Sequence, residues 1–298
     1  MSLTIEQATY HFSQYLRTER QASLQTHDNY LRDIKKMIAL HPELSIEATD
    51  SGYIRQTMAT LHQQTLSPRS LQRWLSAMRS LFDFCIRQGW LQKNPCDGVR
   101  PPKNKKALPK VLDADEVNQL LNVKSDNFLD VRDRAIAELL YSSGLRLSEI
   151  VELNTDELDL SNGMVTVTGK GQKTRMLPVG KIAKDVLTIW LSYRKQTIAD
   201  DETAVFISQR GKRLGQRSIQ QRLKKLGIDQ QLEQPVHPHM LRHSFASHML
   251  ESSGDLRAVQ ELLGHANITT TQIYTHLDFQ HLAKVYDNAH PRAQKKNK

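Results

Sequence analysis

The first hundred residues carry hydrophobic side chains at the spacing of amphipathic helices. The clearest stretch is Ser67–Gly89, where apolar residues recur every three or four positions and where a Ser-Pro pair and a glycine mark the two ends. Weaker forms of the same pattern occur at Ile5–Leu16, Leu24–His41 and Tyr53–Leu61. The pattern therefore predicts an N-terminal bundle of four short helices within residues 1–93.

A segment rich in proline and lysine follows this bundle. Asn94–Lys110, NPCDGVRPPKNKKALPK, has four prolines and little apolar content, which predicts an extended, exposed linker. The linker would act as a spacer or follow a DNA backbone. We place the domain boundary here, with a second domain at residues 111–298.

The second domain alternates between helical and strand patterns. Strands are predicted at Met164–Thr168, Thr174–Val179 and Val205–Ser208, the first two forming a hairpin. The predicted helices are Asp113–Leu121, Val131–Ser142, Gly144–Leu153, Ile182–Arg194, Ser218–Leu226, Pro238–Ser252, Leu256–Leu263, Thr269–His276 and Gln280–Asn288. The predicted fold class is mainly α with two domains, the second of α+β type with a small antiparallel sheet.

Composition and charge narrow the function classes. The 298 residues include 39% hydrophobic residues, enough for sizeable cores, and no window approaches the ~18 apolar residues of a membrane span. The two cysteines cannot form a disulfide framework, so we expect a cytoplasmic protein without membrane insertion. The net charge of +9 favours a polyanionic partner such as DNA, and the acid-free basic run at Arg210–Lys225 is our candidate for a DNA-reading element.

The sequence lacks the usual motifs for nucleotide or metal chemistry. It has no Gly-rich phosphate loop and no acidic cluster of the kind that holds Mg²⁺. A zinc site at His237, His239 and His243 would lack a fourth ligand or a partner carboxylate. We therefore expect chemistry without a metal or other cofactor.

An imidazole and a guanidinium lie close together at the start of one predicted helix. In HPHMLRH, Pro238 fixes the helix start, and His239 and Arg242 share one face of its first turns. An arginine fork, an imidazole and the unpaired N–H groups of a helix N-terminus suit a phosphate. The alternative is an ordinary helix cap with an arginine in solvent.

Two further cations have both a chemical and a structural interpretation. Arg146, in GLRLSE, opens a predicted helix and could bind the same phosphate, or it could form an ion pair with Glu149 at i+3. Lys170 lies between glycines at the tip of the predicted hairpin, where it could approach a ligand or remain a solvated turn residue.

His265 and Tyr274 complete the candidate residues. His265, in LLGH, could contact a phosphate or the end of its helix. Tyr274 follows nine residues later and could be a nucleophile or a half-buried core residue. A phenol with a pKa of ~10 is almost entirely neutral at pH 7, so a nucleophilic tyrosine would depend on arginines that activate the phosphate.

These motifs together resemble those of the tyrosine recombinase (phage integrase-like) family. The family's pattern of Arg, Lys, His, Arg, His and Tyr is matched at all six positions by GLRLSE, GKGQKTR, HPHMLRHSF and LLGHANITTTQIYTH. The N-terminal helices, with SLQRWLSAMRSLFDF, look like the family's core-binding, SAM-like domain, so the resemblance covers nearly the whole chain.

The resemblance implies an activity, a set of catalytic residues and partners. The activity is site-specific cutting and rejoining of double-stranded DNA through a 3′-phosphotyrosyl intermediate on Tyr274, without metal or ATP. The implied catalytic residues are Arg146, Lys170, His239, Arg242, His265 and Tyr274. The implied assembly is a cyclic heterotetramer with a XerD-like recombinase, two protomers of each, which resolves chromosome and plasmid dimers at cell division, with a septal DNA translocase as a further partner.

Several alternatives remain open at this point. A type IB topoisomerase-like enzyme would use the same residue types but rejoin the same strand, whereas a non-catalytic DNA-binding protein would use Tyr274 only in its core. A plasmid or phage integrase would share the chemistry with a different biological role. The resemblance also implies that the last helix, Gln280–Asn288, packs onto a neighbouring protomer, the alternative being a terminal helix packed on its own chain.

Overall fold

Two separate hydrophobic cores divide the chain into two compact units, Met1–Ala107 and Leu108–Lys298. The structure, a computed structural model, describes residues 3–102, 111–169, 174–198, 201–264, 282 and 285–293. The prediction of a mainly helical, two-domain chain with a small antiparallel sheet is confirmed. Among the described residues, no helix has the length and apolar character needed to cross a membrane.

Four helices build the N-terminal unit, as predicted. They are α1 Ile5–Thr18, α2 Leu24–Leu40, α3 Ser51–Gln63 and α4 Pro68–Arg87. Each begins at a short polar side chain, such as Ser67 before α4, that accepts a hydrogen bond from a backbone N–H in the first turn. The apolar faces meet around fully buried Trp74, Phe12 and Phe82.

The Pro- and Lys-rich segment begins inside this unit. Cys96 and Val99 are buried in its core, and the amide of Asn94 donates a hydrogen bond of 2.7 Å to Asp83 on α4. The prediction of an exposed linker is therefore wrong for the first part of the segment, because its few apolar side chains fold back onto the bundle. Residues 103–110 of the predicted linker lie outside the described residues.

The C-terminal unit packs helices and a small sheet around one hydrophobic core. Its elements are α5 Ala114–Leu121, α6 Phe128–Ser143, α7 Leu147–Glu152, the 3₁₀ turn Thr155–Glu157, β1 Leu158–Asp159, β2 Met164–Thr168, β3 Thr174–Pro178, α8 Lys181–Thr197, α9 Gln216–Asp229, α10 Pro238–Ser253 and α11 Leu256–Leu263. Helix α6 is buried on nearly all sides and packs against α8, α9 and α10, so it forms the centre of the unit.

The sheet is antiparallel in the order β1-β2-β3. Strands β2 and β3 form the predicted hairpin, with Thr168 opposite Thr174 at the end next to the connecting residues, whereas β1 was not predicted. The predicted strand Val205–Ser208 is wrong: its backbone forms one isolated bridge, between Ile207 and Arg213, and separate loop hydrogen bonds instead of a ladder. The run is buried because it is apolar, and burial alone mimics the pattern of a strand.

The described part of the C-terminus packs on its own chain. Residues 285–289 are helical, the Tyr286 hydroxyl shares a hydrogen bond of 2.7 Å with Ser142 on α6, and the Arg292 guanidinium pairs with buried Glu138. The described residues of the predicted helix Gln280–Asn288 thus contact their own chain, and packing onto a neighbouring protomer stays a prediction. The predicted helix Thr269–His276 lies outside the described residues.

Candidate active site

Arg146 stands at the junction of α6 and α7. Helix α6 ends at Gly144 in the left-handed region (φ 59°), where a Cβ would lie 2.4 Å from the Phe245 ring, so both the conformation and the space require glycine. The Arg146 backbone is extended as the N-cap of α7, and its N–H donates to Glu149 Oε2 at 2.7 Å. This tight turn fixes the direction in which the Arg146 side chain leaves the chain.

The Glu149 carboxylate is fully occupied by two arginines. Its Oε1 accepts hydrogen bonds of 2.8 Å from both Arg146 Nη1 and Arg175 Nη1, and its Oε2 accepts one of 3.0 Å from Arg175 Nη2. Burial alone would raise the pKa of Glu149, but the hydrogen bonds from Arg175 and Arg146 outweigh it and lower the pKa to about 2. Glu149 is therefore ionised at neutral pH and offsets one of the two arginine charges.

Arg242 enters the same region from α10. His237 caps this helix, its Nδ1 accepting a 3.1 Å hydrogen bond from the N–H of Met240, and Pro238 occupies the first turn. Arg242 donates from Nη1 to the Gly144 carbonyl and from Nη2 to the Leu263 carbonyl at 2.6 Å. Burial and the nearby Arg146 charge lower the pKa of Arg242 to about 10, which keeps it cationic at neutral pH.

The end of α11 brings the two arginines together. Arg146 Nη2 donates to the Gly264 carbonyl at 3.0 Å, next to the Leu263 carbonyl that Arg242 uses. The last carbonyl groups of a helix carry partial negative charge, so they stabilise two cations at this place. Two guanidinium groups from separate helices thus converge on consecutive residues of the LLGH motif, and both are partly exposed.

His239 lies on the first turn of α10, three residues before Arg242. Its side chain is exposed, and its imidazole has no hydrogen-bond partner among the residues that the structure describes. The neighbouring His237 uses a ring nitrogen as the helix cap. Within the same described ranges, no three His, Cys, Asp or Glu side chains are grouped as a metal site would require.

Lys170, His265 and Tyr274 lie outside the described residues. The sequence places Lys170 two residues after the end of β2 and His265 directly after Gly264. Their roles stay predictions.

Sequence reasoning missed two residues of this site. Glu149 entered only as a competing partner of Arg146, and Arg175 was not singled out. A signal for Arg175 exists: in β3, Arg175 and Leu177 point to the buried side, between exposed Thr174 and Met176. A charged residue at an inward strand position needs a buried partner, which here is Glu149.

The basic run around α9 divides into tethered and exposed side chains. Arg222 pairs with buried Asp133 on α6, so it anchors the helix to the unit. Arg217 and Lys224 are exposed and, at a spacing of seven residues, lie on one face together with Gln221.

The N-terminal unit has its own cationic cluster. Fully buried Asp33 accepts hydrogen bonds from Lys36 at 2.7 Å and from Arg73 at 2.7 and 3.2 Å, which ties α2 to α4. Burial would raise the pKa of Asp33, but the bonds from Arg73 and Lys36 lower it below its usual value. Both cations keep an exposed side.

Comparison with known proteins points to one family. Residues 110–281 match the model of the phage integrase family, and residues 10–89 match the model described as "Phage integrase, N-terminal SAM-like domain". The sequence is 55% identical to the tyrosine recombinase XerC of Pseudomonas syringae pv. syringae (strain B728a) over 96% of each chain. It is 54% identical to XerC of Pseudomonas aeruginosa, over 96% of this chain and 95% of the relative.

Solved structures show the same fold. The XerH recombinase bound to palindromic difH substrate, in a post-cleavage complex, matches with a TM-score of 0.70 at 22% identity, over 94% of this chain and 84% of that one. A lambda integrase tetramer bound to a Holliday junction matches with a TM-score of 0.70 at 18% identity, over 100% of this chain and 80% of that one. At these identities the likeness concerns the fold.

Proposed function

Because the chain belongs to the phage integrase family and is a site-specific DNA recombinase that cleaves and rejoins DNA, we propose that Tyr274 is its nucleophile and that Arg146 and Arg242 bind the scissile phosphate. The observation that carries this proposal is the convergence of the two arginines on the consecutive carbonyls of Leu263 and Gly264. Each guanidinium has five N–H donors, so donors remain for the oxygens of a phosphate.

The proposed reaction conserves the phosphodiester. The phenolic oxygen of Tyr274 attacks phosphorus and forms a new P–O bond while the bond from phosphorus to the 5′ oxygen breaks, which leaves a 3′-phosphotyrosine and a 5′-hydroxyl. Arg146 and Arg242 stabilise the negative charge that builds on the non-bridging oxygens. Attack by a 5′-hydroxyl of another strand restores a phosphodiester, so the cycle requires neither ATP nor a metal.

Three side chains complete the proposed proton transfers. Lys170 donates a proton to the leaving 5′ oxygen, while His239 and His265 accept the tyrosine proton and hydrogen-bond the phosphate. For His239 the support is its position one turn before Arg242 with an exposed imidazole.

Two surfaces would hold the DNA. The exposed face of α9, with Arg217, Gln221 and Lys224, has a cation at each end and an amide between them, which suits phosphates and base edges. In the N-terminal unit, Arg73 and Lys36 present fixed cations to phosphates.

We extend the proposal to the biological role. The chain would act with a XerD-like partner, two protomers of each in a cyclic heterotetramer, to resolve chromosome and plasmid dimers in the cytoplasm under the control of a septal DNA translocase. The support is the similarity to proteins named XerC at 54–55% identity over nearly the full chain.

The decisive experiment uses nicked suicide DNA that carries a candidate dimer-resolution site, with and without a XerD-like partner. We expect a covalent protein–DNA band on denaturing gels that forms in excess EDTA. Tyr274→Phe should lose the band completely and keep DNA binding, because it removes only the attacking oxygen.

Two outcomes would contradict the proposal. A covalent band that persists in Tyr274→Phe would assign the nucleophile to another residue. If Tyr274→Phe loses folding and DNA binding together with cleavage, the tyrosine belongs to the core. A band that forms equally without the partner would refute only the XerD-like partnership.

A further inference from the structure

Arg175 is a buried arginine that forms an ion pair with Glu149. Its side chain is 8% exposed, and its two terminal nitrogens form a fork on Glu149 at 2.8 and 3.0 Å. Only arginine can make this planar two-point contact, since a lysine ammonium acts as a single point charge. A buried charge requires such compensation, so the pair forms an obligatory unit of the site.

The same side chain packs against the end of α11. A Cβ placed on Gly264 would lie 3.0 Å from Arg175 Nε and 3.2 Å from its Cδ and Cζ, in a backbone conformation (φ 63°) that already favours glycine. The Arg175 guanidinium therefore packs against Gly264, whose carbonyl accepts the hydrogen bond from Arg146. Its own Nε–H has no hydrogen-bond partner in the described ranges.

Arg175 thus contacts both groups that hold Arg146. It orients the Glu149 carboxylate, which accepts hydrogen bonds from Arg146 Nη1 and from the Arg146 backbone N–H. It also packs against Gly264, whose carbonyl accepts a hydrogen bond from Arg146 Nη2. Without the fork, the carboxylate could rotate, and Arg146 would lose the fixed direction of its remaining donors.

We infer that Arg175 is a positioning residue for DNA cleavage: it does not touch the phosphate but holds Glu149 and Gly264 in the geometry that aims Arg146 at it. This inference rests on the proposed role of Arg146. Misplacement of a catalytic group by about 1 Å can cost about 10²-fold in rate. We expect a loss of that order on removal of the fork.

The test compares Arg175→Gln and Arg175→Lys with the wild type in single-turnover cleavage of nicked suicide DNA at saturating protein. Arg175→Gln should cleave about 10²-fold more slowly, and Arg175→Lys should fall between it and the wild type, while DNA binding stays unchanged in both. Arg194→Gln is the matched control, because Arg194 is 8% exposed in the same unit but donates to the backbone carbonyls of Ala204 and Glu202. It should lower the melting temperature without a selective loss of cleavage.

A double-mutant cycle with Glu149→Gln separates positioning from general destabilisation. If Arg175 acts through Glu149, Arg175→Gln should slow cleavage much less in the Glu149→Gln background than alone. Fully additive losses would overturn the inference. So would a cleavage rate for Arg175→Gln that equals the wild type, or one that falls only in proportion to unfolding, as in Arg194→Gln.

A measurement that does not depend on DNA cleavage tests the positioning role separately from the proposed function. The ¹⁵Nε–H NMR signal of Arg146 should shift and broaden in Arg175→Gln and stay in place in Arg194→Gln. An unmoved Arg146 signal refutes the positioning role. If the wild type forms no covalent complex while the Arg146 signal responds, the proposed function fails and the positioning stands.

Discussion

Both units hold a buried carboxylate between two cations, yet the two clusters differ in the exposure of their cations and in the contacts that hold them. In the N-terminal unit, Asp33 is fully buried, but the side chains of Arg73 and Lys36 are 41% and 29% exposed. The hydrogen bonds from Lys36 and Arg73 to Asp33 are all between side chains. The cluster joins two helices and leaves both cations at the surface.

In the C-terminal unit the roles of the two cations are separated. Arg175 is buried and forms the fork on Glu149, whereas Arg146 is 33% exposed and is fixed by its side chain, its backbone N–H and the Gly264 carbonyl. Arg175 holds the Glu149 carboxylate in place, and Arg146 keeps an exposed side that a ligand can reach. A preorganised donor loses no free energy to reorganisation when charge develops, so this cluster suits transition-state stabilisation, and the looser Asp33 cluster suits phosphate binding.

The largest effect should come from a guanidinium that faces the scissile phosphate. We expect Arg242→Gln to slow covalent-complex formation by about 10²- to 10³-fold, the typical cost of losing one oxyanion donor, with DNA affinity almost unchanged. Single-turnover cleavage at saturating protein measures the rate, and a filter-binding or anisotropy titration measures the affinity.

Arg242→Lys is the companion variant, because Arg242→Gln also leaves the carbonyls of Gly144 and Leu263 without their donor. The lysine variant keeps the charge and should cleave faster than Arg242→Gln. Cleavage and affinity that fall in parallel would make Arg242 a binding residue like Arg73, and the contrast between the units would disappear.

The second effect concerns stability and its dependence on pH. The pKa of Glu149 is about 2 in the folded protein, against an ordinary value of 4.5 for a glutamate side chain, so the ionised group stabilises the native state. This contribution, about 3 kcal/mol in the free energy of unfolding, is fully present above pH 4.5 and is lost as the pH falls toward 2. Glu149→Gln should therefore be less stable at pH 7, and its deficit should shrink on acidification.

Fluorine labels on the tryptophans show which of the two units loses stability in Glu149→Gln. Of the three tryptophans, only Trp190 belongs to the C-terminal unit, so the ¹⁹F NMR signals of 5-fluorotryptophan report urea unfolding of each unit separately. Asp33→Asn is the matched variant in the other unit, with a smaller expected loss because its partners are more exposed. A deficit of Glu149→Gln that is independent of pH would refute the assigned charge state.

Local patterns in the sequence predicted most elements of the fold. Helix α11 begins and ends where predicted, because the Asp255 cap and Gly264 mark its ends. Helix α9 extends beyond the predicted Ser218–Leu226, since Gln216 and Arg217 already form its first turn after the N-cap residue Gly215. Polar residues at a helix end carry little periodic signal, so the boundary there was set too short.

The site could be predicted only in part, for reasons of distance along the chain. Arg146 and Arg242 belong to recognisable local motifs, and the structure brings them together. The contact between Arg175 and Glu149 joins residues 26 positions apart, and no local pattern encodes the pairing. The burial of Cys96 in the supposed linker was missed for the same reason, because it depends on packing against the bundle.

The smallest expected effect tests the N-terminal cluster. Arg73→Gln removes one exposed cation that we assign to a phosphate, so the slope of log affinity against log salt should flatten by about one unit. The cleavage rate at saturating DNA should not change, the reverse of the result expected for Arg242→Gln. Arg20→Gln is the control. Arg20 lies in the same unit and donates a hydrogen bond to Ser80, so this substitution removes the same charge at a place outside the Asp33 cluster. An equal change of slope in both variants would mean that net charge, and not the Asp33 cluster, accounts for binding by this unit.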